Sequence, residues 1–588
     1  MINRAFDDWY QYINKRPALA VAYSVLWLVL VCGLAFFWHL GSIGLIDETE
    51  PLFAEASRQM IVRNDWITPF FNNETRFDKP ALVYWFQAIG YLIIGVNEWA
   101  VRIPSATAAM VTIGLSFYTL QWYFLKRDAL EGVSLPTRRW LIPSLATAMM
   151  AFNASMLVWG RTGVSDMLLT GCIASSLLCF FLGYAKQEEV EKGNDGWYFA
   201  FYVLVAGAIL TKGPVGIVLP GLIIAAFLFY IGNFIEVLRE IRLIPGLLII
   251  FGLSAPWYML VIWRNGSNYI NSFFGYHNVE RFTEVVNGHQ APWFFYFIVV
   301  LLGFAPYSVY LPSAMLNLKF WQIQNWRSKT RVEQFSLFAF IWFVVVFGFF
   351  TIAVTKLPSY VLPLMPASAI LVAILWADVI TKSPTPGFRF SAWVNVIFVS
   401  ACSAALFYVP KLLGYDPAAP TFPQILQQSN ITVVGGIIWL ICAVVLAFLL
   451  IRKNWIALIG TNLAAFALFL LFVLTPALFI MDGTRQLPLR KLSAVAVQNI
   501  QPQEELIMVG FKKPTVAFYT QRYVNYIKTD EGANEYIQKK AATSNSSVLI
   551  LIQPKKFVEM GLQPTDYQIL GNSGAYQLAR VNLKNKSF

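Results

Sequence analysis

Two neighbouring carboxylates, Asp47 and Glu48, stand directly after the first long apolar run of the chain, residues 18–40. About 20 apolar residues are enough to cross a bilayer, so we expect both acids at a membrane face, where charge is costly and often functional. They also open an amphipathic segment, residues 51–61, and acids in a first helical turn suit the helix dipole. The sequence therefore leaves two interpretations open, catalysis and helix capping.

The composition is typical of a polytopic membrane protein. Of 588 residues, 57% are hydrophobic and only 13% are charged, whereas soluble domains carry about 25% charged residues. About thirteen apolar runs approach bilayer length. They lie near residues 18–40, 101–125, 140–159, 166–185, 197–211, 213–232, 244–263, 293–314, 335–354, 358–380, 391–410, 430–451 and 455–481. The formal net charge of +12 is explained by loop lysines and arginines that set topology, so it indicates no nucleic-acid partner.

A fourteenth apolar segment, residues 81–96, decides the predicted topology. It is short, rich in aromatic residues and interrupted by Gln87 and two glycines, which is typical of an interfacial or re-entrant segment. If it does not cross and the N-terminus is cytoplasmic, most loop lysines and arginines fall inside, as the positive-inside rule requires. We therefore predict a multi-pass protein of the cytoplasmic (inner) membrane, with the first loop (41–100) and the C-terminus outside.

The composition changes sharply after residue 483, which predicts two domains. Residues 1–483 form the transmembrane domain. Residues 484–588 are predicted to form a small periplasmic α/β domain, because apolar runs suited to strands alternate with amphipathic helical patterns. The predicted strands are 505–510, 547–553 and 574–582, and the predicted helices are 489–500 and 531–542.

Several charged residues fall on the predicted outer face and could bind a phosphate. Fixed, partly desolvated cations suit a lipid-borne phosphate, and a nearby carboxylate could act as general base on an acceptor hydroxyl. The candidate cations are Lys79, Arg161, Arg281 and Lys356. Each could instead only snorkel at a span end. Asp166 could likewise serve as a second acid or cap the span that it opens.

Four sequence blocks, in this order, carry a resemblance to a known family. They read DETEPLFAEASRQMIVRNDWITPFFNNETRFDKPALVYWFQA, RTGVSDMLLT, FFGYHNVERF and TKLPSYVLPLMPA. Together they resemble the lipid-linked-sugar glycosyltransferases that contain the bacterial aminoarabinose transferases and are related to protein O-mannosyltransferases. The resemblance implies a GT-C fold, an α-helical polytopic membrane protein of about thirteen transmembrane helices with a C-terminal soluble α/β domain.

The resemblance also implies roles for particular residues. Asp47 matches the first-loop catalytic acid, with Glu48 beside it, and Asp166 matches a second acid. The positions that would bind the polyprenyl phosphate of the donor are Lys79, Arg281 and Tyr360, with Lys356 beside the last of these. The donor would be a sugar on a carrier such as undecaprenyl phosphate, and transfer would invert the anomeric carbon.

Two departures from the family pattern qualify these implications. Asp78 stands where aminoarabinose transferases have a glutamate that shares a metal with a histidine, but His277 is displaced by one position from that histidine. We therefore predict that no cofactor is required, and Asp78 and His277 are the only candidate metal ligands. Glu50 replaces an arginine common in the family, which predicts a changed charge in the donor or acceptor pocket.

Two classes of function fit a membrane protein of this kind. A glycosyltransferase would move a sugar from the polyprenyl-phosphate donor to a lipid, glycan or protein acceptor at the outer face of the lipid bilayer. A lipid or sugar transporter, or flippase, would instead carry ionisable groups deep in its spans and repeated, broken helices. The predicted spans are almost free of charge and no internal repeat is visible, which favours the enzyme. The sequence identifies neither the sugar nor the acceptor.

Overall fold

The helices of the computed structural model, which describes residues 2–187, 195–285, 288, 290–543 and 547–583, form a membrane-type bundle. Within those residues, nine helices are long and apolar enough to cross a membrane, or eleven if each of two bent pairs counts as one span. The nine are Pro17–Phe37, Glu98–Leu130, Ser165–Lys186, Leu243–Asn265, Phe335–Ile352, Pro358–Thr381, Pro386–Leu412, Ile431–Ile451 and Trp455–Asn499. The bent pairs are Pro136–Ala151 with Ala154–Gly160, and Phe295–Gly303 with Tyr307–Asn317.

Three further apolar helices are shorter than the nine above. They are Leu82–Ile94, Gly196–Lys212 and Val215–Ile231. The last two coincide with predicted spans at 197–211 and 213–232, so every predicted span contains a helix. Other short helices connect the bundle and lie at Ile2–Asn14, Phe234–Glu240, Ser267–Tyr269, Ile270–Glu280, Arg281–Thr283, Ile323–Arg327 and Phe422–Gln428.

Helix Leu82–Ile94 does not cross the bundle. Asp78, just before the helix, lines the same cavity as Asp47. Glu98, just after it, accepts a hydrogen bond from the C-terminal Tyr519 at 2.7 Å. Both ends of the helix therefore lie on the face that carries the C-terminal domain, as the sequence predicted.

The first loop is built around helix Thr49–Val62 and a two-stranded hairpin, Phe70–Phe71 with Glu74–Thr75. Glu50 is buried at the start of the helix and forms a two-pronged ion pair with Arg102, with both N–O distances 2.8 Å. Arg102 also donates to backbone carbonyls of residues 40, 43 and 44. A buried carboxylate needs such pairing to remain charged, so this pair fixes the loop to the bundle.

The C-terminal domain contains a mixed five-stranded sheet. Its strands, in spatial order, are Val524–Ile527, Leu506–Val509, Ser547–Ile552, Tyr576–Asn582 and Tyr567–Ser573. The first three are parallel, Tyr576–Asn582 pairs antiparallel with Ser547–Ile552, and Tyr567–Ser573 pairs antiparallel with Tyr576–Asn582. Helices Leu487–Asn499, Pro514–Thr520, Asp530–Thr543 and Pro554–Glu559 pack around the sheet.

Three of these strands and two helices were predicted from the sequence. Strands Val524–Ile527 and Tyr567–Ser573 were not, because the first is only four residues long and the second is largely exposed and polar. The proposed boundary at residue 483 falls inside the helical run Trp455–Asn499, so the transmembrane and C-terminal parts are joined by continuous helix.

The C-terminal domain is docked on the first loop. The side chain of Asn72 donates to the carbonyl of Val524 and accepts from its N–H, both at 2.9 Å. Phe71 of the hairpin packs into the apolar core that Leu489 and Leu549 form beneath the sheet. The domain therefore lies over the same loop that carries the candidate catalytic acids.

Candidate active site

A polar cavity of about 980 Å³ lies between the first loop and the helix ends. Asp47, Lys79, Asp166 and Arg281 all line it, as does Lys512 of the C-terminal domain. A second cavity of about 410 Å³ adjoins the first and is mainly apolar. Its apolar lining consists of Leu169, Pro214, Val215, Val218, Phe273, Phe274, Phe349, Phe350, Ala353 and Pro363.

Cations are concentrated where the two cavities meet. Lys79, Lys212 and Arg281 line both cavities. Burial and the positive charges of Lys212 and Arg281 together lower the pKa of Lys79 to about 8, against the opposite effect of Asp78. The Nε of Arg281 is buried and has no hydrogen-bond partner among the described residues. Such a cluster is electrostatically costly and would be relieved by a bound anion.

Asp166 fixes one of these cations. Its carboxylate lies 2.7 Å from the ammonium of Lys212, and both side chains are largely buried. The ammonium of Lys212 also lies 5.2 Å from the centre of the Tyr360 ring, within reach of a cation–π interaction. Asp166 occupies the first turn of helix Ser165–Lys186, but its carboxylate accepts a hydrogen bond from the ammonium of Lys212.

Asp78 is held on the other side of Lys79. It pairs with Arg76 at 2.6 Å and accepts a hydrogen bond from Tyr84 at 3.0 Å. Burial acts to raise the pKa of Asp78, but Arg76 and Lys79 outweigh burial and bring it to about 2. Asp78 is therefore ionised at neutral pH and helps to hold Lys79, whose ammonium lies 3.8 Å away.

His277 lines both cavities near this group. Burial and the charge of Lys79 lower the pKa of His277 to about 4, so the imidazole is neutral at pH 7. Its Nδ1 is buried without a hydrogen-bond partner in the described part of the chain. Among the described residues, no group of three His, Cys, Asp or Glu side chains is arranged to hold a metal ion. Asp78 and His277 would supply only two ligands.

Asp47 lies at the opposite end of the polar cavity, against the C-terminal domain. Its Oδ1 accepts hydrogen bonds from the backbone N–H of Thr515, at 3.3 Å, and from the Thr515 hydroxyl. Burial raises the pKa of Asp47, and Thr515 and Lys513 act against this effect. Helix Thr49–Val62 begins without a side-chain capping bond from Glu48. The capping interpretation of Asp47 and Glu48 is therefore not what the structure shows.

The other two acids of the first loop are placed differently. Glu48 lines the cavity but its side chain is 66% exposed, and it faces the ammonium of Lys513 at 3.4 Å. Glu50 is neutralised by Arg102 and accepts a further bond from the N–H of Gly163 at 2.7 Å. Glu50 lines the polar cavity with its charge paired to Arg102, and the expected change of charge in a substrate pocket stays a prediction.

Two predicted phosphate ligands are not brought to the site. Arg161 donates to the carbonyls of Ala35 and Trp38, at 3.1 and 2.6 Å. Lys356 donates to the carbonyls of Thr351 and Ala353. Cations commonly bind the unpaired carbonyls at helix ends, and in these positions both side chains stabilise span ends. Their assignment as phosphate ligands is therefore corrected.

Comparison with known sequences and structures shows which proteins this chain resembles. Residues 78–260 match the family described as dolichyl-phosphate-mannose-protein mannosyltransferase. Residues 499–587 match the C-terminal domain of cyanobacterial RgtA-type glycosyltransferases. Over 95% of this chain and 98% of the other, the fold matches ArnT from Cupriavidus metallidurans with a TM-score of 0.74 and 22% identity. The chain therefore has the fold of ArnT, and two of its segments resemble glycosyltransferase families in sequence.

Curated relatives point the same way. The chain is 28% and 27% identical to undecaprenyl phosphate-alpha-4-amino-4-deoxy-L-arabinose arabinosyl transferases of Aeromonas salmonicida and Aeromonas hydrophila. The matched regions cover 61% and 64% of this chain, and 60% and 63% of the two relatives. A relative of the same name from Serratia proteamaculans is 28% identical over 73% of this chain and 70% of its own length.

Sequence reasoning missed two residues of the site. Lys212 ends an apolar run directly before Gly213 and Pro214, where a lysine is usually taken to snorkel. Lys212 and the nearby Pro214 both line the apolar cavity, and nothing in the sequence around them indicates this. Thr515 lies 468 residues from Asp47, so only the docking of the C-terminal domain reveals their contact.

Proposed function

We propose that the protein is an integral membrane glycosyltransferase that moves a sugar from a polyprenyl-phosphate carrier to a hydroxyl acceptor. The acceptor is a lipid, a glycan or a protein at the outer face of the cytoplasmic membrane. The N-terminus is cytoplasmic, and the C-terminal domain lies outside, on the same face as Asp47.

The observation that carries the proposal is the position of the three cations at the junction of the two cavities. An apolar cavity beside helix Val215–Ile231 suits an isoprenoid tail, since burial of its methylene and methyl groups is favourable. Lys79, Lys212 and Arg281 then meet the phosphate where the tail ends. The sugar beyond the phosphate enters the polar cavity, which also contains Asp47.

The chemistry that this arrangement supports is a displacement at the anomeric carbon. Asp47 takes the proton of the acceptor hydroxyl, the hydroxyl oxygen bonds to the anomeric carbon, and the bond from that carbon to the phosphate oxygen breaks. The electron pair leaves with the polyprenyl phosphate. Preorganised cations at Lys79, Lys212 and Arg281 stabilise the charge that develops there, and the proton remains on Asp47 until it is released to water.

The relatives support a donor of this class. The curated relatives are named for undecaprenyl phosphate and an amino sugar, and the structure of ArnT from Cupriavidus metallidurans contains undecaprenyl phosphate. The chain spans less than two thirds of the length of the two Aeromonas relatives, so the sugar and the acceptor are not carried over from them.

The proposal is tested by comparing cells that lack the protein with cells that carry it. The lipids, glycans and proteins of the membrane are measured by mass spectrometry, with an Asp47→Asn variant as the matched control. We expect one lipid, glycan or protein to gain the mass of one sugar only with the wild-type protein. Identical lipids, glycans and proteins in all three strains would contradict the proposal.

A further inference from the structure

The C-terminal domain reaches the candidate general base through one residue. Both hydrogen bonds that Asp47 accepts from the described residues come from Thr515, one from its N–H and one from its hydroxyl, and both end on Oδ1. Two donors from one residue fix the position and the plane of the carboxylate. Oδ2 is then the oxygen left to receive the proton of an acceptor hydroxyl.

The docking of the domain determines where Thr515 lies. Its side chain is fully buried at the first turn of helix Pro514–Thr520. Lys513, two residues earlier, faces Glu48, and the paired bonds of Asn72 with Val524 hold the neighbouring strand against the first loop. The contact with Asp47 therefore exists only while the C-terminal domain is docked.

We propose that Thr515 is a positioning residue for the general base, so that the C-terminal domain completes the active site. This inference rests on the proposed function, because it takes Asp47 as the group that accepts the proton. Thr515 itself lies behind the carboxylate and acts on the reaction only through it. The C-terminal domain thereby contributes to the geometry of the site.

The charges around Asp47 determine what the loss of Thr515 would do. Lys513, Tyr526 and Tyr576 face it from the C-terminal domain, and Glu48 from its own loop. Burial raises the pKa of both tyrosines, so they remain neutral. Thr515 and Lys513 favour the charged form of Asp47 against burial. Removing the hydroxyl would therefore raise the pKa of Asp47 further.

This gives a signed prediction for the pH dependence of transfer. A general base works only when deprotonated, so kcat/KM falls as the pH drops through the pKa of Asp47. Thr515→Val should move this acidic limb upward by about one pH unit, the usual scale for a hydrogen bond to a charged group. At a pH below both limbs, the variant should therefore be about tenfold slower.

The experiment measures kcat/KM against pH for the wild type and matched variants. Thr515→Ser keeps the hydroxyl and should retain the wild-type limb. Asn72→Ala weakens docking without touching Asp47, so it should lower the rate or the melting temperature but leave the limb in place. Undecaprenyl phosphate binding, measured separately by calorimetry, should be unchanged in Thr515→Val.

Three results would overturn the inference. One is a folded Thr515→Val protein whose acidic limb coincides with that of the wild type. Another is a Thr515→Ser limb that moves as far as that of Thr515→Val. If Thr515→Val does not fold, Lys513→Met replaces it, and an unmoved limb in that variant contradicts the role of the domain. A wild-type protein that neither transfers sugar nor binds undecaprenyl phosphate would instead defeat the proposed function, and the inference with it.

Discussion

Replacement of Lys79 by methionine is the most informative perturbation of the proposed phosphate site. Lys79 is only 9% exposed, and its pKa is lowered to about 8 by burial and by Lys212 and Arg281. A bound phosphate would attract the proton and raise this pKa. Binding therefore takes up a proton when the pH lies above 8, and affinity must fall as the pH rises.

The size of the effect follows from the titration of one group. At pH 7 nearly all Lys79 is protonated, whereas at pH 9 roughly a tenth is, so the Kd of wild-type protein for undecaprenyl phosphate should rise about tenfold between these values. Lys79→Met loses a charge-assisted contact of about 1.5–3 kcal/mol. That loss corresponds to a Kd about 10 to 100 times higher at pH 7, with little further change up to pH 9.

The assay is calorimetric titration of the sugar-free carrier into protein held in lipid nanodiscs. Lys356→Met is the matched control, because that lysine caps a helix end outside the cavities and should leave the Kd unchanged. Equal affinity of Lys79→Met and wild type at pH 7 would refute the assignment. So would a wild-type Kd that is constant from pH 7 to 9.

The same pKa makes an independent prediction for stability. The pKa of Lys79 is lower in the folded protein than its ordinary value of 10.5. Its charge therefore destabilises the ligand-free fold at neutral pH, and this penalty disappears as the pH rises from about 8 to above 10. Ligand-free Lys79→Met should melt at a higher temperature than wild type at pH 7, and the difference should shrink at pH 10.

Three further predictions concern the acid, the metal and the topology. Asp47→Asn should lower the transfer rate by at least about 100-fold while leaving the melting temperature close to that of wild type, because a general base contributes roughly 10²–10⁴-fold; a variant with more than about a tenth of the wild-type rate would contradict this role. Transfer should survive EDTA, because Asp78 and His277 supply two protein ligands where tightly held zinc usually has three or four; a stoichiometric metal that restores chelated enzyme would contradict this. A cysteine at the 79% exposed Val558 should react with a membrane-impermeant maleimide in intact cells, whereas reaction only after permeabilisation would invert the topology.

Much of the fold could be predicted because it depends on properties that run along the chain. Apolar length predicts spans, and each predicted span contains a helix. Gln87 and the two glycines in segment 81–96 indicated that this helix would not cross, and its buried Gln87 in fact donates to the carbonyls of Val101 and Gly163. Alternating and apolar runs likewise predicted three strands of the C-terminal domain.

The site was harder to predict because side-chain direction is not encoded in position along a span. Arg161, Lys356 and Lys212 all lie at helix ends, and their sequence contexts look alike. The structure turns the first two toward backbone carbonyls and the third toward Asp166. Which partner each cation meets depends on the packing of distant helices. The same reason hid Thr515, whose contact with Asp47 needs the two domains to be docked.

The central claim is tested most directly by following the bond between sugar and phosphate. Purified protein is reconstituted in liposomes with undecaprenyl-phosphate sugars labelled in the sugar, using a panel of sugars and an acceptor extract from membranes. We expect the wild-type protein to form labelled acceptor and free undecaprenyl phosphate in equal amounts. The Asp47→Asn variant should form neither product. Label that crosses the bilayer while still attached to undecaprenyl phosphate, with no free carrier formed, would contradict transfer and identify a flippase.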